Sequence, residues 1–174
     1  MISEPECNIV IVLIYIYTDG GCRGNPGPGG WAYVIIQAED PQIEEKGIQK
    51  ASSPLILAED WGAEQSTTNN RMELQAVIAA LVALHSLNAG SEKATVYTDS
   101  QYVQKGMTIW LEEWKKKGWK TRGKEPVKNR DLWQRLDGLA MGFSIIWLWV
   151  KGHAGNKYNE RCDVLVQKAI ASLQ

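Results

Sequence analysis

A chain of 174 residues, 44% hydrophobic and 22% charged, has the size of one domain and enough apolar material for a core. Its 19 Lys and Arg against 20 Asp and Glu leave a formal charge of -1, which on its own argues against a nucleic-acid binder. The average hides a division: residues 115–130 hold eight basic side chains against Glu125 alone, a local +7, and the rest of the chain carries -8.

Cys7, Cys22 and Cys162 form no CxxC pair and are odd in number, so neither a disulfide framework nor a zinc site is supported and three reduced thiols are expected. A first strand is predicted over 8–18. Its apolar run Ile9–Tyr17 is short and follows Glu4 and Glu6, unlike a membrane span or a signal peptide, so a soluble cytoplasmic protein is expected. The Gly- and Pro-rich stretch GGCRGNPGPGG reads as a turn, and Trp31–Ala38 as a second strand. Residues 39–66 are acidic and broken by Pro41 and Pro54, which predicts an extended excursion with a third strand within 46–57. Val77, Leu81, Leu84 and Leu87 recur at helical spacing and predict a helix over 70–87. A short strand at Ala94–Asp99, a helix over 100–117, a basic loop over 118–127 and a helix at Asn129–Met141 follow. The strand at Ser144–Val150 is apolar on both faces, Ile145, Trp147 and Trp149 on one and Ile146, Leu148 and Val150 on the other, which predicts cover on both sides. A loop over Lys151–Tyr158 leads to a last helix ending near residue 171. The order βββαβααβα predicts one α/β domain over 1–174, with its core in 8–171 and a mixed sheet flanked by helices on both faces.

Two tetrapeptides repeat, Tyr17-Thr18-Asp19-Gly20 and Tyr97-Thr98-Asp99-Ser100, each placing an acid where a strand leaves the sheet. Ligands gather outside such strand ends in open α/β sheets, although Asp also suits ordinary turns. Glu73 opens the first long helix, where Asn70 three residues earlier also fits a capping box. Asp163 lies early in the last helix, where an acid complements the helix dipole. Each acid has a structural explanation by itself. Clustered, the four would repel one another without a cation, and an all-oxygen set suits Mg²⁺ or Mn²⁺. Two such ions fit phosphodiester cleavage. His153, in the glycine-flanked loop KGHAGN, is a candidate proton shuttle, whereas His85 lies within a helix. The segment 110–130 interleaves Lys115, Lys116, Lys117 and Lys120 with Trp110, Trp114 and Trp119. It reads either as a phosphate-gripping protrusion or as a solvated loop with tryptophans anchored in the core. Glu112 and Glu113, in the same helix, would weaken a grip on their face.

The motifs YTDGGCRGNPGPGGWA, TTNNRMELQAVIAAL, YTDSQYV, WLEEWKKKGWKTRGKEPVKNRDLWQRLD and WVKGHAGNKYNERCD, in this order, resemble bacterial type 1 ribonuclease H over about 8–38 and 66–171. The resemblance implies the ribonuclease H-like fold, a five-stranded mixed sheet with helices on both faces, and a monomer. It implies sequence-independent endonucleolytic cutting of the RNA strand of RNA/DNA hybrids by a two-metal mechanism, leaving 5′-phosphate and 3′-hydroxyl ends. Carried over residue by residue, it makes Asp19, Glu73, Asp99 and Asp163 the metal-binding carboxylates. His153 becomes a mobile residue of proton transfer or product release. Asn25, Thr68, Asn69 and Gln101 become hybrid contacts, and the Lys- and Trp-rich run a basic protrusion that grips the DNA strand. The segment before TTNNRME is longer than is usual in that family. A binding module without catalysis would lack a complete acid set, and other nucleases of the fold would lack the protrusion run.

Overall fold

The computed structural model describes residues 12–39, 53–87, 93–152 and 154–174. Strands β1 (Val12–Cys22), β2 (Gly27–Glu39), β3 (Leu55–Thr67), β4 (Lys93–Thr98) and β5 (Ser144–Trp149) form one sheet in the order β3-β2-β1-β4-β5. β1 pairs antiparallel with β2, and β2 with β3, whereas β1–β4 and β4–β5 are parallel. The expected five-stranded mixed sheet is therefore present. Helix α1 (Asn69–Leu87) lies on one face, packing against β1 and β2, while α5 (Lys157–Ala171) covers β1, β2 and β3. Alternation in β1 sorts the two cores: Ile14 and Ile16 join Leu74, Val77 and Leu81 of α1, and Tyr17 joins Cys162, Leu165 and Val166 of α5.

Four expectations need correction. The glycine-rich stretch is mostly strand, since β1 runs on to Cys22 and β2 resumes at Gly27; the turn proper is residues 23–26. The third strand is β3 at 55–67, paired along β2 as a sheet edge, so the second half of the supposed excursion is regular structure. Residues 46–52 of the expected strand lie outside the described residues. β3 was hard to see because its edge position lets Glu59, Asp60 and Glu64 sit in a strand with no clean apolar alternation. β5 is not covered on both faces: it is the other edge, Ile145 and Trp147 pack on the core, and Ile146 and Leu148 are 59% and 40% exposed.

The helix expected over 100–117 is α2 (Gln101–Lys105), a π-helical turn at Gly106–Trp110 and α3 (Leu111–Lys116). A wide turn here shifts the helical register. The fully buried Trp133, on α4 (Arg130–Ala140), lies against Gly106, where a Cβ would overlap its indole ring. Trp133 donates its indole N–H to the Tyr102 hydroxyl at 3.0 Å and meets Trp114 edge-on at 5.4 Å. Gly106→Ala should therefore cost about 1–3 kcal/mol by overpacking. Thermal unfolding should show a Tm several degrees lower; an unchanged Tm would mean that the ring is free to move away.

Candidate functional site

The repeated tetrapeptides are neighbours in space. β1 and β4 pair in parallel with Tyr17 opposite Tyr97 and Thr18 opposite Thr98, and the two tyrosine rings stack 4.9 Å apart. That pairing ends at Thr18 and Thr98, so Asp19 and Asp99 emerge side by side, although β1 itself continues along β2. The backbone carbonyl of Asp99 accepts the Trp149 indole N–H at 2.8 Å, which ties it to the end of β5.

Glu73 reaches the same point from α1. At Gly20 a side chain would collide with the backbone of Met72 and Glu73, so the absence of a Cβ lets the helix touch the strand one residue after Asp19. The capping-box reading of Glu73 does not hold. α1 starts at Asn69, with the Thr68 carbonyl accepting from Arg71 and Met72, and the Glu73 carboxylate is buried and accepts from the Gly20 N–H.

Asp19, Glu73 and Asp99 each bring a carboxylate oxygen within 4.8 Å of the others. Asp19 and Glu73 are buried, 9% and 6% exposed. Desolvation first, then the charges of Asp19 and Asp99, holds the Glu73 carboxyl well above the usual carboxylate range. Its Oε2 is buried with no hydrogen-bond partner. Carboxylates packed this closely, one with an unsatisfied buried oxygen, suit a hard divalent cation. Asp163 stands outside this group, half-buried in the second turn of α5. Its neighbour Cys162 donates from Sγ to the Tyr17 carbonyl at 3.4 Å, so Asp163 rises from a helix fastened to β1 two residues before Asp19. His153 lies outside the described residues.

The expected substrate contacts surround this end of the sheet. Asn25 Oδ1 accepts from the Asn69 N–H at 3.3 Å, joining the 23–26 turn to the start of α1, and Thr68 directly precedes that helix. Gln101, exposed at the start of α2, accepts from Lys105 at 2.9 Å. The basic segment is partly neutralised from within: Glu112 accepts from Lys115, Asp137 also from Lys115, and Glu113 from Lys117 and Arg122. Glu112 and Glu113 thus brace the protrusion, while Lys116 and Lys120 are exposed and form no ion pair among the described residues. Trp114 and Trp119 pack against the core, and Trp110 meets Trp114 at 5.7 Å. Trp114 and Trp119 are thus anchored on the core, an arrangement compatible with either reading of the segment. Three contributors escaped the sequence reading: Gly20, the Trp149 indole and Arg71, which pairs with Asp131 at 2.9 Å. Gly20 and Arg71 stand inside the quoted motifs, beside Asp19 and Glu73, and that adjacency was the available signal.

Cys22 and Cys162 are free thiols, as expected, and Cys7 lies outside the described residues. Among the described residues no helix is long and apolar enough to cross a membrane.

Known proteins resemble this chain in sequence and in fold. The RNase H family matches residues 13–171. Ribonuclease H of Treponema pallidum is 51% identical over 154 residues, 88% of each chain, and that of Chromobacterium violaceum 50% identical over 161 residues, 92% of this chain and 96% of the relative. Among solved structures, LC9-RNase H1, a type 1 RNase H with the type 2 active-site motif, superposes with a TM-score of 0.77 at 32% identity, covering 96% of this chain and 76% of that one. LC11-RNase H1 in complex with RNA/DNA hybrid gives 0.64 at 28% identity, covering 92% and 98%.

The raised pKa of Glu73 has a thermodynamic consequence. Its folded-state value exceeds the unfolded one, so without metal the folded protein carries a penalty at neutral pH that shrinks as pH falls below the folded pKa and is gone below the unfolded pKa. Glu73→Gln should raise the Tm in EDTA at pH 7 by several degrees, each kcal/mol being worth ~2–4 °C at this size. The gain should shrink on acidification and on adding Mg²⁺. A variant melting below the parent at pH 7 in EDTA would contradict the electrostatic description.

Proposed function

The chain belongs to the ribonuclease H family, and from that premise we propose that it hydrolyses the RNA strand of RNA/DNA hybrids endonucleolytically, with Mg²⁺ as the working cation and Mn²⁺ able to replace it. The convergence of Asp19, Glu73 and Asp99 within 4.8 Å, in a family that includes a relative solved with RNA/DNA hybrid, carries this reading. These three residues and Asp163 hold the cations. Divalent ions held there would supply the means to activate a water and to neutralise charge on the leaving oxygen, chemistry suited to 5′-phosphate and 3′-hydroxyl ends.

The protein's own groups do the rest. The stacked Tyr17–Tyr97 pair and the Gly20 contact fix the carboxylates before substrate arrives, so little reorganisation is needed at the moment of reaction. His153 transfers a proton or assists product release. A hybrid is recognised by groove shape and 2′-hydroxyls rather than base sequence, so cutting has little sequence preference. Asn25, Thr68, Asn69 and Gln101, with amide and hydroxyl groups near the acids, read the backbone and those hydroxyls. Lys116 and Lys120, with the other lysines of the protrusion, meet the phosphates of the DNA strand, and the tryptophans hold that surface in place. The protein acts as a cytoplasmic monomer.

Incubation of end-labelled RNA/DNA hybrid, double-stranded RNA and double-stranded DNA with the protein, in Mg²⁺ and in EDTA, tests this. Only the hybrid in Mg²⁺ should be cut, and Asp19→Asn should abolish cutting while retaining hybrid binding. Cleavage of double-stranded DNA, cutting in EDTA, or substantial turnover by the Asn variant would each contradict it. Replacing Lys116 and Lys120 by Ala should flatten the salt dependence of hybrid binding by roughly 0.7–0.9 log units per lost phosphate contact. An unchanged slope would show that these lysines do not touch the backbone.

A further inference from the structure

The carboxylates and the basic segment sit on different elements, and hybrid binding at both requires a fixed angle between them. One polar network joins them. Arg71, two residues before Glu73 on α1, donates Nη2 to Asp131 Oδ2 at 2.9 Å and Nη1 to Asp131 Oδ1 at 3.2 Å, a two-pronged pair spanning 60 residues of sequence. Nη1 also lies 3.5 Å from Asn129 Oδ1. Asn129 is where the basic segment ends and α4 begins, in the left-handed conformation with φ 56°. Its amide donates to the Tyr102 hydroxyl at 3.3 Å, and that hydroxyl donates to the Lys128 carbonyl at 3.4 Å. Tyr102 follows Asp99 by three residues. Helix α1, which bears Glu73, and α2, which begins two residues after Asp99, thus grip the same point, the exit of the basic segment.

We propose that Arg71 and Asp131, with Asn129 and Tyr102, form a bracket that sets the basic protrusion at a fixed angle to the carboxylates, so that one hybrid engages both. Arg71 and Asp131 are positioning residues, not catalytic ones. The side chains are 35% and 61% exposed, so water screens the charge attraction and the two-pronged geometry is what distinguishes the pair. Two parallel hydrogen bonds restrict direction strongly. Hybrid affinity depends on simultaneous contacts at two places, so an angular error costs affinity without changing the chemistry at the acids.

The inference rests on the reading of this site as a hybrid nuclease, and the test separates the two. Parent, Arg71→Gln, Asp131→Asn and the exchanged pair Arg71→Asp with Asp131→Arg are assayed on a long end-labelled hybrid and on one too short to reach from the carboxylates to the protrusion. On the long hybrid, each single variant should raise KM about tenfold with kcat within about twofold, the size expected for a lost charge-assisted pair. Their salt slopes should fall by roughly 0.9 for each phosphate contact no longer made. On the short hybrid, all proteins should cut alike. The exchanged pair should bring KM back to within about threefold of the parent, as a coupled pair does. Unchanged KM on the long hybrid, an equal loss on the short one, or no recovery in the exchanged pair overturns the bracket. A parent that cuts no hybrid overturns the functional reading and the bracket with it.

Discussion

The structure turns on a contact without a side chain. Gly20 lets α1 meet β1, and the parallel register of β1 and β4 brings Asp19 and Asp99 out together, so three acids, two of them buried, share one place. Burial and like charge make that arrangement unfavourable at neutral pH without a cation or a proton. The rest of the fold maintains it: apolar cores on both sides of the sheet, the Tyr17–Tyr97 stack and the Trp149 hydrogen bond to Asp99 leave the carboxylates little room to separate. A divalent ion bound there would relieve the repulsion that the backbone imposes.

The electrical division of the chain takes on a different meaning in three dimensions. The local +7 is not one free cationic face, because Glu112, Glu113 and Asp137 neutralise Lys115, Lys117 and Arg122 in place. These pairs give the segment shape, and Trp114, Trp119 and Trp133 give it a base on the core. On the proposed function, what remains for phosphates is a smaller set of exposed lysines, Lys116 and Lys120 among them. On the acidic side, a net charge of -1 includes clustered carboxylates whose charge is offset whenever metal binds, so a near-neutral total is compatible with a nucleic-acid substrate.

The five-strand architecture and the acids were legible in the sequence because their signals are local and repeated: two YTD tetrapeptides ending apolar strands, and a helical period after TTNNRME. What was not legible depends on partners far along the chain. β3 carries acids because it is an edge, and β5 is apolar on both faces although only one is covered; neither fact follows from a window of neighbouring residues. The π-helical turn at Gly106–Trp110 answers to Trp133, and the bracket of Arg71 spans 60 residues to Asp131. Glu73 shows the same limit from the other side. Its spacing from Asn70 favoured a capping role, and only its burial against Gly20, Asp19 and Asp99 reveals a different one.

On the proposed function, the carboxylate cluster is a divalent-metal centre shaped by the backbone. Anomalous diffraction from crystals grown with Mn²⁺ and a hybrid carrying a non-cleavable linkage tests it most directly. Manganese peaks coordinated by Asp19, Glu73 and Asp99, beside the RNA phosphate, are expected. A hybrid-bound structure at saturating Mn²⁺ with no anomalous peak among these three residues would contradict it.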